Sequence, residues 1–184
     1  MRAYHKPAPD APAALMQIAP PEPGPGQIRL KIAACGLNFA DLLMLKGQYQ
    51  DTPPAPFTLG MEVACVVDAL GHGVSSPAIG TRVAVFGGQG GLAEHGCFDA
   101  HRAVPLPDAM SMTDAAAFLI AYGTSHLALD HRARLQPGET LLVLGAAGGV
   151  GLTAVEVGKL MGATVIACAR GADKLEAARH AGAD

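Results

Sequence analysis

Glycines cluster in the stretch "VLGAAGGVGLTAVEV", which begins at Val143, with a spacing that suits a phosphate-binding turn. The register from Ala146 to Gly151 departs from the G-x-G-x-x-G pattern only at its first position, where Ala146 stands. We expect Gly148 to let the backbone approach a pyrophosphate and Gly151 to let a helix pack closely on a strand. The opening amides of that helix favour negative charge. The alternative is a glycine turn without a ligand. The predicted contacts are Ala147, Gly148, Gly149, Val150 and Gly151.

Two cations after the next predicted strand indicate which dinucleotide the turn would hold. In NAD-binding proteins an acidic residue about 20 residues beyond the glycines takes the ribose 2′-hydroxyl. The matching stretch here has Arg170 and Lys174 and no acid at the strand end. Because a 2′-phosphate is recognised by such cations, the sequence favours NADPH over NADH. The alternative is that both are solvated residues at a helix start, and Asp173 could pair with either.

The bulk composition excludes several classes of function. The net charge is −3 without a long run of either sign, and tryptophan is absent, so nucleic acid is not an expected partner. The most apolar stretch, Leu141 to Leu152, holds four glycines. It falls short of the ~20 apolar residues of a membrane span, so no membrane association is expected. The four cysteines form no C-x-x-C pair, which suggests reduced thiols in a cytoplasmic protein.

Short strands separated by glycine and proline turns dominate the first part of the chain. The sequence predicts strands over Ile28–Ala34 and Met61–Leu70, with a helix over Asn38–Lys46 between them. Further short strands are expected in "GTRVAVFGG" and "AEHGCFDAHRAVPLP". This spacing is typical of a small barrel or sandwich. We therefore expect a β-rich, barrel-like domain over residues 1–110.

The hydrophobic period changes near residue 110, and residues 111–184 are expected to form an α/β domain. Ser111-x-x-Asp114 predicts a capping box at the start of a helical stretch. The elements that follow are a strand over Leu141–Leu144, a helix to about Met161, a strand over Val165–Ala169 and a helix over about Ala172–Ala181. This order begins a doubly wound parallel sheet, which needs about six strands in all. We therefore expect an amino-terminal fragment, the alternative being a compact domain that ends at Asp184.

Three segments, "CGLNFADLLMLKGQY", "PFTLGMEVACVV" and "VLGAAGGVG", follow one another in this order. Together they closely resemble the quinone oxidoreductase (zeta-crystallin-like) branch of the medium-chain dehydrogenase/reductases, and the resemblance covers nearly the whole chain. It implies a GroES-like catalytic domain followed by a Rossmann domain, which is incomplete here. It also implies a homodimer of the full-length protein, formed through Rossmann strands that this sequence lacks.

The resemblance further implies three residues near the reacting atoms. Asn38 would offer an amide N–H and Tyr49 a phenol O–H to a substrate oxygen, and Thr124 would lie close to the nicotinamide. Each has a structural alternative. Asn38 could cap a helix, Tyr49 could simply pack, and Thr124 could be a hydroxyl within a helix.

A catalytic zinc ion is not expected. Zinc-dependent alcohol dehydrogenases of the same superfamily use a cysteine and a histidine where this sequence has Asn38 and Met61, and an amide and a thioether are poor Zn²⁺ ligands. Asp41 and Glu62 are weaker candidates for a general acid: we expect Asp41 to favour a helix dipole and Glu62 to make structural hydrogen bonds. No metal or base role is assigned to the scattered histidines His95, His101, His126 and His131.

The function expected from the sequence is therefore hydride transfer from NADPH to a quinone or an α,β-unsaturated carbonyl, without a metal. Such acceptors delocalise the developing charge themselves, so the protein needs only to orient them and donate hydrogen bonds. One alternative is the reduction of enoyl thioesters such as acyl-CoA, and another is a non-catalytic dinucleotide-binding protein. The 184-residue chain alone is expected to bind NADPH weakly and to turn over nothing.

Overall fold

A computed structural model describes residues 1–184, which form two compact units, Met1–Leu119 and Ile120–Asp184. The composition placed the change of domain near residue 110, whereas the first unit continues to Leu119. The strands of the first unit are β1 (Arg2–Lys6), β2 (Ala14–Gln17), β3 (Gln27–Gly36), β4 (Phe57–Thr58), β5 (Glu62–Leu70), β6 (Arg82–Phe86), β7 (His95–Asp99) and β8 (Val104–Pro105). Its helices are α1 (Phe39–Leu45) and α2 (Met112–Ala116), with a 3₁₀ turn at Ala100–Arg102.

Antiparallel strands build the first unit, as the turn-separated pattern predicted. One sheet has five strands in the order β7-β3-β5-β6-β8, and a smaller sheet has the order β2-β1-β4. Neither order returns to its starting strand, so the hydrogen bonding does not close into a ring. The inward face of the large sheet carries the alternating apolar residues that strand period two requires. That core consists of Ile28, Leu30, Val63, Cys65, Val67, Val83, Val85 and Phe98.

Strand β3 runs into α1 through a short connection that places the candidate site. The predicted helix Asn38–Lys46 is confirmed, with Asn38 as its N-cap and Lys46 as its C-cap. Gly47 follows with a φ of +64°, the left-handed conformation that ends many helices and that glycine adopts without strain.

The second unit is the β-α-β-α segment predicted from its sequence. Strands β9 (Thr140–Leu144) and β10 (Thr164–Cys168) are parallel neighbours, and α4 (Gly149–Leu160) connects them before α5 (Ala172–His180) follows. Helices cover the sheet face that carries Val143 and Val165. The other face leaves Leu142, Leu144 and Ile166 about half exposed or more.

The helical stretch after residue 110 is interrupted. Ser111 is the N-cap of α2, and its Oγ accepts from the backbone N–H of Asp114 at 3.0 Å. The predicted capping box is only half formed, because the Asp114 carboxylate accepts from the Ser111 hydroxyl at 2.6 Å instead of from the Ser111 backbone N–H. Helix α2 then packs against β3 and β5, and the chain continues as α3 (Ala121–His126) and a π-helical segment, Leu127–Arg132. None of the helices is both long enough and apolar enough to pass through a bilayer.

Candidate functional site

The connection between β3 and α1 is shaped by a glycine that nothing larger could replace. Gly36 is buried, and a Cβ on it would lie 2.3 Å from the carbonyl oxygen of Ala116 and 2.6 Å from Oε1 of Glu62. Both distances are far below a van der Waals contact. The bare backbone of Gly36 therefore lets Glu62 approach the start of α1.

Asp41 fixes the backbone at the start of α1. Its carboxylate is 5% exposed and accepts two backbone N–H groups, that of Asn38 at 2.9 Å through Oδ2 and that of Gly60 at 3.1 Å through Oδ1. Gly60 precedes β5 by two residues and has a φ of +95°. Asp41 thus joins the helix start to the chain segment leading into β5, in addition to favouring the helix dipole as the sequence suggested.

Glu62, the first residue of β5, is 2% exposed and bonds directly to the predicted site residue. Nδ2 of Asn38 donates to Oε1 of Glu62 at 2.9 Å. The expectation that Glu62 makes a structural hydrogen bond is therefore correct, and its partner is Asn38. Asn38 is also the N-cap residue of α1, which is the structural alternative that the sequence offered. It therefore stands at the helix start and has a fixed side-chain amide at the same time.

The thiol of Cys35 lies beside these two carboxylates. Burial raises the pKa of Cys35 to about 12, and the negative charges of Asp41 and Glu62 act in the same direction. A thiolate is the reactive form of cysteine, so Cys35 stays an inert thiol at neutral pH. All four cysteines of the chain are free.

Asn38 lines a cleft of about 530 Å³ whose walls are mainly apolar. Several of these side chains are unusually exposed, including Leu37 at 79% and Phe39 at 74%. Tyr49 is not among the lining residues. It lies beyond the end of α1, where its carbonyl oxygen accepts from the hydroxyl of Thr52 at 2.6 Å. The complete lining is Tyr4, Leu37, Asn38, Phe39, Asp41, Leu42, Leu45, Leu59 and Leu92.

In the second unit, the glycine turn is held by backbone bonds. The amides of Gly145 and Ala146 both donate to the carbonyl of Cys168, at 2.9 and 3.0 Å, which ties the turn to the end of β10. Gly145 has a φ of +71°. A Cβ on Gly151 would lie 2.3 Å from the carbonyl oxygen of Gly145, whereas one on Gly149 would meet nothing within 4 Å. Gly151 therefore makes a close backbone approach, although it is to the turn residues Gly145 and Ala146 and not to β9 itself.

The N-terminus of α4 has no side chain that caps it. Gly148 is the N-cap and makes no side-chain bond, and the first N–H groups of any helix lack partners within the helix. Gly148, Gly149 and Val150 are exposed. The helix dipole favours negative charge at this exposed end of the helix.

The two predicted cations stand after β10 without ion-pair partners. Arg170 and Lys174 are exposed, and neither bonds to Asp173. Gly171, with a φ of +96°, turns the chain between them into α5. The possibility that Asp173 neutralises one of these cations is therefore not realised in the structure.

Thr124 is exposed on α3, while its neighbour Ser125 bonds α3 to the first turns of α4. Oγ of Ser125 donates to the carbonyl oxygen of Val150 at 2.9 Å and lies 2.8 Å from Oγ1 of Thr153. The hydroxyl of Tyr122 also bonds to Glu156. Sequence reasoning missed this network; its only signal was polar residues placed on otherwise apolar helix faces.

Comparison with known proteins agrees with this arrangement. The alcohol dehydrogenase GroES-like domain family matches residues 24–108. Quinone oxidoreductase-like protein 2 of Rattus norvegicus is 42% identical over 173 residues, which cover 94% of this chain and 49% of the relative. The synaptic vesicle membrane protein VAT-1 homolog of Homo sapiens is 43% identical over 164 residues, 89% of this chain and 42% of the relative. The chain thus spans about half the length of these curated relatives.

A solved structure extends the likeness to both units. The quinone oxidoreductase of Thermus thermophilus, whose crystal structures include a complex with NADPH, matches with a TM-score of 0.88 and 38% identity. The match covers 100% of this chain and 58% of that protein. With the antiparallel first unit and the β-α-β-α second unit, these similarities show that the chain resembles the quinone oxidoreductases of the medium-chain dehydrogenase/reductase superfamily.

Proposed function

We propose that the protein to which this chain belongs is a zinc-independent oxidoreductase that uses NADPH to reduce a quinone or an α,β-unsaturated carbonyl. The observation that carries this proposal is the combination, within the second unit, of an uncapped helix N-terminus after β9 with two unpaired cations after β10. A helix N-terminus favours a pyrophosphate and cations favour a 2′-phosphate, and the Thermus thermophilus relative was crystallised with NADPH.

Different residues would bind the pyrophosphate and the 2′-phosphate of NADPH. The amides opening α4, in the stretch Ala147 to Gly151, would hold the pyrophosphate, and Arg170 with Lys174 would hold the 2′-phosphate. When bound, NADPH supplies the hydride. The protein contributes hydrogen bonds to the substrate oxygen, for which Asn38 is our first candidate because its amide lines a cleft. Tyr49 and Thr124 remain proposals from the family resemblance.

The proposal of zinc independence depends on the chemistry of the donor set. Asn38 uses its amide nitrogen as a donor to Glu62, and the Met61 side chain is buried with 4% exposure. Neither offers the thiolate or imidazole that Zn²⁺ prefers. Polarisation of the substrate oxygen is therefore assigned to hydrogen bonds.

A double variant tests the cofactor assignment. Arg170→Ala with Lys174→Ala removes both unpaired cations and should weaken NADPH binding at least tenfold, since a hydrogen bond to a charged group contributes roughly 1.5–3 kcal/mol. Binding of NADH, which lacks the 2′-phosphate, should be unchanged. Arg132→Ala, which removes an exposed cation of the same unit, is the matched control. Equal losses for both cofactors, or for the control, would reject the assignment.

The reaction itself is tested with the full-length protein. Mixing it with NADPH and a panel of quinones and enones should reduce the absorbance of the nicotinamide at a rate that depends on enzyme concentration. Turnover restricted to enoyl-CoA would favour thioester reduction instead. Absence of turnover with all of these acceptors would reject the proposed activity.

A further inference from the structure

The side-chain amide of Asn38 is held on one side by Glu62, a residue to which the family resemblance assigns no role. The hydrogen bond from Nδ2 of Asn38 to Oε1 of Glu62 is 2.9 Å long. A carboxylate can only accept hydrogen bonds, so this contact decides which end of the Asn38 amide faces Glu62. The nitrogen must face Glu62, and the amide cannot rotate to present its oxygen there.

Glu62 itself has little freedom to move. It is 2% exposed, and it pairs in register with Gly36 across β3 and β5. A Cβ on Gly36 would lie 2.6 Å from Oε1 and 2.8 Å from Cγ of Glu62, so the carboxylate is packed directly against the neighbouring backbone. The backbone of Asn38 is fixed independently, through the bond from its N–H to Asp41.

These contacts give the second N–H of the Asn38 side chain a defined orientation. Its NH₂ group carries two protons, of which Glu62 takes one. The other proton belongs to a side chain that lines the 530 Å³ cleft. We propose that Glu62 is a positioning residue, which holds the Asn38 amide so that its second N–H donates to a carbonyl oxygen in this cleft. This inference depends on the proposed function, because Glu62 would position the residue that we propose to contact the substrate.

The action of Glu62 is geometric. A carboxylate close to a substrate oxygen that gains negative charge would oppose the reaction by Coulomb repulsion. Glu62 instead acts through the intervening amide, and what it contributes is the orientation of a donor before the substrate binds. Preorganised donors of this kind stabilise developing charge without the cost of reorganisation.

The composition of the chain gives this proposal a direct spectroscopic test, since Asn38 is its only asparagine. Labelling with asparagine that carries ¹⁵N at the side-chain nitrogen should give a single NH₂ pair in the 184-residue chain. We expect one of the two protons to be shifted downfield and protected from exchange, as a carboxylate acceptor requires. Adding cyclohexanone, a carbonyl compound that does not react with thiols, should then shift mainly the other proton.

Two variants of Glu62 separate positioning from a merely structural role. Glu62→Ala should remove the downfield shift and abolish the selective response to cyclohexanone. Glu62→Gln keeps the volume and an acceptor oxygen, and should retain a reduced shift because a neutral acceptor bonds more weakly. This variant also keeps the test valid if Glu62→Ala does not fold. Glu176→Gln, at an exposed acid of the second unit, should leave the pair unchanged.

The outcomes distinguish the positioning role from the proposed function. If cyclohexanone shifts the same proton equally in the wild-type chain and the Glu62 variants, Glu62 does not position the amide, although carbonyl recognition stands. If cyclohexanone shifts neither proton in the wild-type chain, carbonyl recognition at Asn38 is rejected. In the full-length protein, Glu62→Ala should lower kcat about tenfold, the scale of one lost orienting hydrogen bond. Glu62→Gln, which keeps a weaker acceptor, should lower kcat less, and both variants should leave the KM for NADPH unchanged. An increase in that KM without a change in kcat would overturn the proposal.

Discussion

The cluster around Asn38 and the glycine turn before α4 are built in opposite ways. Around Asn38, buried side chains hold one another: Asp41 and Glu62 are 5% and 2% exposed, and both accept hydrogen bonds from the start of α1. At the glycine turn the backbone forms the site, and bonds from Gly145 and Ala146 to Cys168 fix its shape. The first region depends mainly on buried polar side chains, packed against the bare backbone of Gly36, whereas the second depends mainly on backbone contacts.

The two regions are therefore sensitive to different kinds of substitution. Truncating a side chain should damage the Asn38 cluster, because buried donors then lose their acceptor. Adding a single carbon atom at Gly151 should damage the glycine turn, because that atom would overlap with the backbone of Gly145 and Ala146.

Asp41→Ala should lower the free energy of unfolding most. The N–H groups of Asn38 and Gly60 both lose their acceptor, and the expected loss is about 2–4 kcal/mol. Asp41→Asn retains one acceptor oxygen and should cost about half as much by the same reasoning. Urea unfolding of the two variants measures the difference. If Asp41→Ala were as stable as Asp41→Asn, the carboxylate would not hold the cluster together.

Gly151→Ala should destabilise the second unit by about 1–3 kcal/mol, as overpacking typically does. The new Cβ would lie 2.3 Å from the carbonyl oxygen of Gly145 and 2.9 Å from Cα of Ala146, both backbone atoms that can yield only if the turn moves. Gly149→Ala is the matched control, because its Cβ would meet nothing within 4 Å. Thermal unfolding and calorimetric titration with NADPH should separate the variants, and identical behaviour would contradict a turn shaped by close backbone contact.

The buried thiol of Cys65 should make stability fall in alkaline solution. Burial raises its pKa from 9.0 to about 12, so between these values the unfolded chain loses a proton that the folded chain keeps. Stability present below pH 9 is therefore lost as the pH rises towards 12, by up to ~1.4 kcal/mol per pH unit. The difference in unfolding free energy between wild type and Cys65→Ala should shrink over this range. The difference for Ile28→Val, which removes core volume at a residue that does not pair with Cys65, should stay constant.

Ser111→Ala should have the smallest of these effects, about 1 kcal/mol, which is the usual contribution of an N-cap. Its hydroxyl accepts from the N–H of Asp114 on an exposed helix start, where water can replace the lost bond. Ser111→Thr keeps the hydroxyl and should be close to wild type in a urea titration. If Ser111→Ala lowered the free energy of unfolding as much as Asp41→Ala, solvent exposure would not explain a difference between the starts of α1 and α2.

The same contrast explains how much of the structure could be predicted from the sequence. The glycine turn and its flanking strands are local, so the spacing from Ala146 to Gly151 was sufficient to predict them. Asn38 could be singled out, but its partner Glu62 lies 24 residues away. Their contact depends on the register of β3 against β5, which shifts between Arg29 and Leu30 and again between Ile32 and Ala34. No sequence pattern revealed those irregularities.

The helical region after α2 was predicted only in outline. Its composition favours helix throughout, but the structure divides it into α3 and the π-helical segment Leu127–Arg132. Helix propensity depends on residue type and does not indicate where the backbone hydrogen bonding changes its period. The cluster of Ser125 and Thr153 under the glycine turn arises from that packing, and it was therefore also missed.

The uncovered face of the β9–β10 sheet has a practical consequence for colloidal behaviour. Leu142, Leu144 and Ile166 meet water on a short parallel sheet, and apolar surface of this kind promotes aggregation. Concentrated solutions of the chain should aggregate more readily than its net charge of −3 alone would suggest. Leu144→Lys, on that solvent-exposed face, should delay aggregation in a light-scattering assay and leave the buried side of the strand intact.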